Sequence, residues 1–226
     1  MCRVHPSITS TCPIWKISNA KNFSRDVQVL VQGALKAAII FKWEPISQSR
    51  FKNLNQYSYK LGMAIISIKQ MQNLNGTYGA EKKSVPTDIL SFPCQFDETF
   101  CRHAIEDPKF NDDKEIDLGD IFLCPEWILR KYRICPTASY GHQILLGRAM
   151  GYRVLLKLLV HGIVHLLGLD HYRTASETIQ MRRIEKAALC YFLVVSNKTG
   201  YFRSRSLPSL QQRFNWGYLH RSSAKF

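Results

Sequence analysis

The chain has 226 residues, enough for one domain with a real core and some length left for tails. Its 46% hydrophobic and 21% charged residues are ordinary for a soluble globular protein. The charge balance is not: 31 Lys and Arg against 17 Asp and Glu give a formal charge of +14, which favours polyanionic partners such as nucleic acid or an anionic membrane surface.

Seven scattered cysteines without a C-x-x-C pair speak against a disulfide framework and for a reducing compartment. Lys36, Lys157 and the histidines interrupt every long apolar run, so no membrane span and a soluble protein are expected. No internal repeat is visible, which sets aside a solenoid or array.

Before Glu81 the only acids are Asp26 and Glu44, while Arg3, Lys16, Lys21, Arg25, Lys36 and Lys42 recur among Ser, Thr and apolar residues. Residues 1–25 therefore read as an organelle-targeting segment or N-terminal extension, or else this basic stretch is a first strand and helix of the domain itself. The domain proper is expected over residues 26–195.

From Asp26, VQVLVQGALKAAIIF fits one helix or a strand followed by a helix. LGMAIIS, Leu61 to Ser67, reads as a buried strand, and IKQMQNLNG as a short helix closed by Asn75 and Gly76. TDILSFP, Thr87 to Pro93, and LGDIFLCP, Leu118 to Pro125, read as two more strands. Between them the stretch Cys94 to Asp117 holds eight acids and three bases, so the rest of the chain carries +19.

Glu126 to Arg133 reads as a helix ended by Pro136. A long helix then starts near Thr137 or Ser139 and runs through VLLKLLVHGIVHLL to Gly168, apolar on nearly every side in its last third, as a core helix is. A final amphipathic helix spans about Ser176 to Val195, with Ile179, Ile184, Ala187, Ala188 and Tyr191 available for packing. This order of elements predicts an α+β fold of one domain, a mixed β-sheet packed with helices. The tail, residues 196–226, holds six Lys or Arg, no acid, and Tyr201, Phe202, Phe214, Trp216, Tyr218 and Phe226. It suits single-stranded RNA, or it is a solvated extension.

The chemistry concentrates in HGIVHLLGLDH. On a helix His161 and His165 stand one turn apart on one face, Gly168 permits the chain to turn back, and His171 can reach the same ion. Three neutral imidazoles suit zinc, with nickel, cobalt or iron as alternatives, and leave a coordination position open as catalytic sites do. The spacing H-x-x-x-H-x-x-G-x-x-H is that of a large class of metallopeptidases, yet Gly162 stands where those enzymes carry their glutamate base. Phosphodiester cleavage needs positive charge around the phosphate more than such a base, since attack can begin from the 2′-hydroxyl of RNA.

HGIVHLLGLDH, PTDILSFP and LGDIFLCPE together closely resemble the three signatures of the YbeY family of metal-dependent, single-strand-specific endoribonucleases, over about Leu61 to Cys190. The resemblance implies that His161, His165 and His171 bind the catalytic metal, usually zinc, and that the partners are single-stranded ribosomal RNA precursors and the ribosome or its proteins. It also places Thr87, Asp88, Ser91 and Asp120 in strands near the family's cleft. The family's arginine after the tyrosine of an N-x-x-Y-R segment is absent here, since Gly79 follows Tyr78. Lys82 and Lys83 are the nearest replacements, although lysine lacks the bidentate fork.

Asp170 either orients a ligand histidine or shapes the turn after Gly168. Glu177 and Glu185 are carboxylates within reach of the metal in one reading and, on a solvated helix, face water in the other; Met181 reads as core. The catalytic set expected is thus Lys82, Lys83 and Asp170 beside the three histidines, in a zinc-dependent endoribonuclease. The location expected is a mitochondrion or plastid in a eukaryote and the cytoplasm otherwise. A metallopeptidase borrowing Glu177 as base, and a non-catalytic ribosome-assembly protein with a structural metal, are the competing readings.

Overall fold

The computed structural model describes residues 3–11, 20–43, 57–79, 84–94, 115–132 and 149–198. Four strands, β1 (Arg3–Ser10), β2 (Ser58–Ile65), β3 (Ile89–Pro93) and β4 (Glu115–Leu123), form one sheet in the order β1-β2-β4-β3. The pairs β1·β2 and β2·β4 are parallel and β3·β4 is antiparallel, so the sheet is mixed as expected. Five helices accompany it: α1 (Ala20–Ile40), α2 (Ile68–Tyr78), α3 (Pro125–Lys131), α4 (Ala149–Leu166) and α5 (Ala175–Lys198). The segment that fitted a helix or a strand plus helix is a single helix, α1. Its Val27, Leu30, Val31, Ala34, Leu35 and Ala38 are all buried, and this spacing of three and four residues is a helical stripe.

Residues 3–10 belong to the sheet, so removing residues 1–25 would delete β1 and the first turn of α1. The strand register explains which side chains meet the helices. Tyr59, Leu61, Met63 and Ile65 alternate into the core from β2. On β4 the alternation breaks: the pairing with β2 slips between Lys60 and Gly62, where Gly119 adopts φ 104°. This bulge puts Leu118 before it and Ile121 and Leu123 after it on the core side. Asp120 is consequently turned to the other face, where its carboxylate lies across Gly62 and leaves no room there for a Cβ.

Helix α1 lies so close to α5 that a Cβ at Gly33 would meet the carbonyl oxygen of Ala188 at 3.0 Å. Lys36 Nζ donates to Tyr191 Oη at 2.9 Å across the same contact. Helix α2 runs through Asn75 and Gly76 to Tyr78, one turn beyond the end expected. Its start is a capping box of Ser67 and Gln70. Asn75 does not stop it, because its side chain donates to the Val85 carbonyl while its own carbonyl accepts from Gly79 N–H. The expected start of the metal-bearing helix at Thr137 or Ser139 lies outside the described residues, as do the acidic stretch between β3 and β4 up to residue 114 and the tail from residue 199.

Helix α4 ends as the glycine suggested. Gly168 has φ 85°, Leu169 N–H reaches back to the Val164 carbonyl at 3.4 Å and Gly168 N–H to His165 at 2.9 Å, the paired bonds of a Schellman end. Nothing lies within 4 Å of a Cβ built at Gly168, so glycine is needed there for backbone conformation alone. Gly168→Ala should therefore cost about 1–2 kcal/mol, the penalty of a left-handed alanine, and Gly168→Asn clearly less. Urea unfolding of the three proteins measures this, and equal midpoints would refute it.

Candidate metal centre

Helix α4 supplies two of the histidines and the turn after it the third. His161 and His165 face one another with their Nε2 atoms 3.2 Å apart. The His171 ring centroid lies 5.3 Å from that of His161 and 5.2 Å from that of His165. One nitrogen from each of the three rings falls within 4.8 Å of the others, so one ion can bind all three. Burial pushes the His165 pKa down to about 4, reinforced by the charges that His161 and His171 would carry. Burial and His161 lower His171 as well, against the opposing carboxylates of Asp170 and Glu185. Both rings are thus neutral near pH 7, the form that binds a metal, and a set of imidazoles without thiolates fits a divalent transition ion.

The turn is built around the ligands rather than beside them. Asp170 Oδ1 accepts from Tyr172 N–H at 2.9 Å, and Asp170 N–H donates to Glu177 Oε2 at 3.2 Å. Asp170 thus shapes the turn that carries His171, and its charge also acts on both His165 and His171. Thr178 Oγ1 donates to the His171 carbonyl at 2.9 Å, and Thr174 caps α5 by accepting from Glu177 N–H at 3.0 Å. On the other side Trp43 Nε1 donates to the Leu167 carbonyl at 3.0 Å, tying the end of α1 to the end of the metal helix.

Two carboxylates left open between metal and water are engaged. Glu185, on α5, accepts from His161 Nδ1 at 2.8 Å and is 22% exposed. Glu177 holds the turn as described. Met181 is core, 2% exposed, whereas Ile179, expected to pack, is 52% exposed.

Gly162 answers why no glutamate follows the first histidine. It is buried, facing β3, and a Cβ there would stand 2.7 Å from Ile89 Cδ1 and 2.9 Å from Ser91 Oγ. A side chain at 162 enters the contact between helix and sheet. Ser91 and Ile89 therefore sit behind α4. Asp120 does not join them, because the bulge at Gly119 turns it to the opposite face of the sheet. Asp88 is 7% exposed and accepts from Lys131 Nζ at 2.9 Å and Tyr132 Oη at 3.0 Å. Burial raises its pKa, but the Lys131 ammonium and the hydrogen bonds outweigh it and hold the carboxyl below its usual value. Asp88 latches α3 to the start of β3, and Thr87 donates to it at 3.1 Å.

Lys82 and Lys83 lie outside the described residues. Positive charge missed in the sequence stands on α4 itself: Arg153 and Lys157 precede His161 and His165 at four-residue steps, one inclined ridge of the helix. Both are half-buried, and burial together with the Arg153 charge pulls the Lys157 pKa down. The four-residue repeat was visible in the sequence once the helix was placed.

Gly162→Glu should lose on the order of 3 kcal/mol, since it adds volume and an unpaired carboxylate to a packed contact. It should create no peptidase activity. Thermal unfolding and a casein assay check both, and an undiminished midpoint would show that the contact is not tight.

Comparison with known proteins agrees with this site. The family model described as "Endoribonuclease YbeY" matches residues 25–192. Proteins named "Endoribonuclease YbeY" are similar to the chain in Prochlorococcus marinus strain MIT 9312 (35% identity over 114 residues, 50% of this chain and 50% of that protein) and in Legionella pneumophila strain Corby (29% over 130 residues, 58% and 66%). A human protein of the same name is 35% identical over 136 residues, 60% of this chain and 70% of its own length. The match spans about half the length of the Prochlorococcus relative. With a match running from α1 to α5 and enclosing all three histidines, the chain belongs to the YbeY family.

Proposed function

We propose that the protein is a metal-dependent endoribonuclease that cleaves single-stranded RNA, acting on ribosomal RNA precursors during ribosome biogenesis. The observation that carries this reading is the convergence of His161, His165 and His171 on one ion-sized position in a chain of this family. We infer that the ion is zinc, from three neutral imidazoles and no thiolate, with nickel or another divalent transition metal able to take its place. Such an ion would supply Lewis-acid polarisation of a phosphoryl oxygen.

The remaining work falls to the chain's own groups. Burial lowers the pKa of His165 and of His171, which leaves a lone pair on each of these rings for an ion. Asp170 maintains the turn that presents His171. Arg153 and Lys157 extend the histidine ridge by two turns and are proposed to line the phosphate backbone as it approaches, with Lys82 and Lys83 adding charge where the family's arginine is absent. Basic surface elsewhere on the +14 chain, including residues 196–226, would hold the rest of the RNA and bring it to the ribosome.

The metallopeptidase reading loses its borrowed base, since Glu177 accepts from the Asp170 amide and lies 3.9 Å from Arg173 Nη1. Among the described residues no helix is long and apolar enough to cross a membrane. The proposed setting is a mitochondrion or plastid in a eukaryotic cell and the cytoplasm in a bacterial one. The spread of relatives from bacteria to human supports it.

A labelled ribosomal RNA fragment should be cut by metal-loaded protein and left intact after chelation or in His165→Ala, while DNA of the same sequence is untouched. RNA that is bound but uncut in every lane would instead identify an assembly protein with a structural metal. The ridge makes a separate prediction: Arg153→Ala and Lys157→Ala should each weaken RNA binding and lower the slope of log affinity against log salt by roughly 0.7. Unchanged slopes in filter-binding titrations would remove both residues from the RNA path.

A further inference from the structure

We propose that Glu185 is a positioning residue of the metal centre, which fixes the tautomer of His161 and thereby presents its Nε2 lone pair to the ion. The proposal rests on the reading of the three histidines as a metal site. His161 has two ring nitrogens with different partners: Nδ1 lies 2.8 Å from Glu185 Oε1, and Nε2 lies 3.2 Å from His165 Nε2. An ionised carboxylate can only accept, so the proton of a neutral His161 sits on Nδ1 and the lone pair on Nε2, the atom turned toward His165.

Glu185 is well placed to impose this choice. It follows Ile184 and precedes Ala188 on α5, both fully buried, so the helix cannot rotate the carboxylate away without unpacking. The α1–α5 contact of Gly33 with Ala188 and the Lys36–Tyr191 bond also fix this helix. His165 is held in a comparable way by a backbone hydrogen bond at Leu169. The two ligands on α4 thus have their orientation set by different elements, one by α5 and one by the turn. The negative charge of Glu185 also balances part of the charge of a divalent ion held by three neutral rings, and outer carboxylates of this kind typically change metal affinity about 10–100-fold.

The test uses the full chain and zinc alone, without RNA. Competition with a chromophoric chelator measures affinity, and long-range proton–nitrogen correlation spectra of the metal-free protein show which His161 nitrogen is protonated. Glu185→Ala should bind zinc about 10–100-fold more weakly and lose the Nδ1-protonated signature. Glu185→Gln, whose amide oxygen still accepts, should keep that signature and fall between the two. If Glu185→Ala is too unstable to assay, Glu185→Leu, which fills similar space and cannot accept from Nδ1, takes its place with the same expected outcome. In either variant, affinity within about twofold of wild type with Nδ1 still protonated overturns the role of Glu185 and leaves the three-histidine site standing. Failure of the wild-type protein to bind zinc overturns the role and removes the metal-site reading with it.

Discussion

The close approach of helix α4 to strand β3 is the constraint on which the rest of the site depends. With no Cβ at position 162, the helix settles against Ile89, Ser91 and Ile121, and this contact sets its rotation about its own axis. Once that rotation is fixed, His161 and His165 are held beside His171 of the turn, and His161 beside Glu185 of α5. A side chain at 162 would lift the helix or turn it, and either motion would separate the rings from His171 and from Glu185. The absent glutamate is thus a packing requirement of this fold before it is a statement about chemistry.

Packing of this kind shares out responsibility for the centre among elements far apart in sequence. Helix α5 carries Glu185 to His161 and Glu177 to the Asp170 amide, eight residues apart on one helix. The end of α1 reaches the Leu167 carbonyl through Trp43. The turn contributes its own Schellman bonds and the Asp170–Tyr172 contact. Three elements therefore converge on the segment from Leu167 to His171, so the third ligand, although it lies on a turn, is held nearly as firmly as the two on the helix.

Legibility from sequence follows from the range of the interactions. The histidine spacing, the stop at Gly168 and the mixed α+β character depend on local periodicity and backbone preference, which a chain states in its own order. The structure bears these out. What depends on a partner distant in sequence was not legible. For Glu185 the sequence leaves two readings, approach to the metal and exposure on a solvated helix, and only the packing of α5 beside α4 decides between them by bringing it to His161. The bulge at Gly119 likewise reverses the face of Asp120, and strict alternation along LGDIFL cannot show on which side of a bulge the count restarts. The end of α2 was misjudged for a related reason: Asn75, a residue that usually stops helices, is satisfied by Val85 ten residues away.

On the proposed reading, positive charge on the metal helix is available to a site that lacks the family's arginine. An arginine offers a phosphate a planar fork of donors, which a lysine lacks. Arg153 and Lys157 stand instead on the metal helix, at four-residue steps from His161, so their distance from the ion position is set by backbone hydrogen bonds of α4. Burial lowers the Lys157 pKa because desolvating a cation beside another cation is unfavourable, and an approaching phosphate would relieve that cost. The carboxylate of Glu185, on α5, is bonded to His161 Nδ1, where it steadies the ligand. On the proposed reading, cationic groups of α4 would attract the substrate while the carboxylate of Glu185 orients a ligand, so both tasks fall to one helix pair.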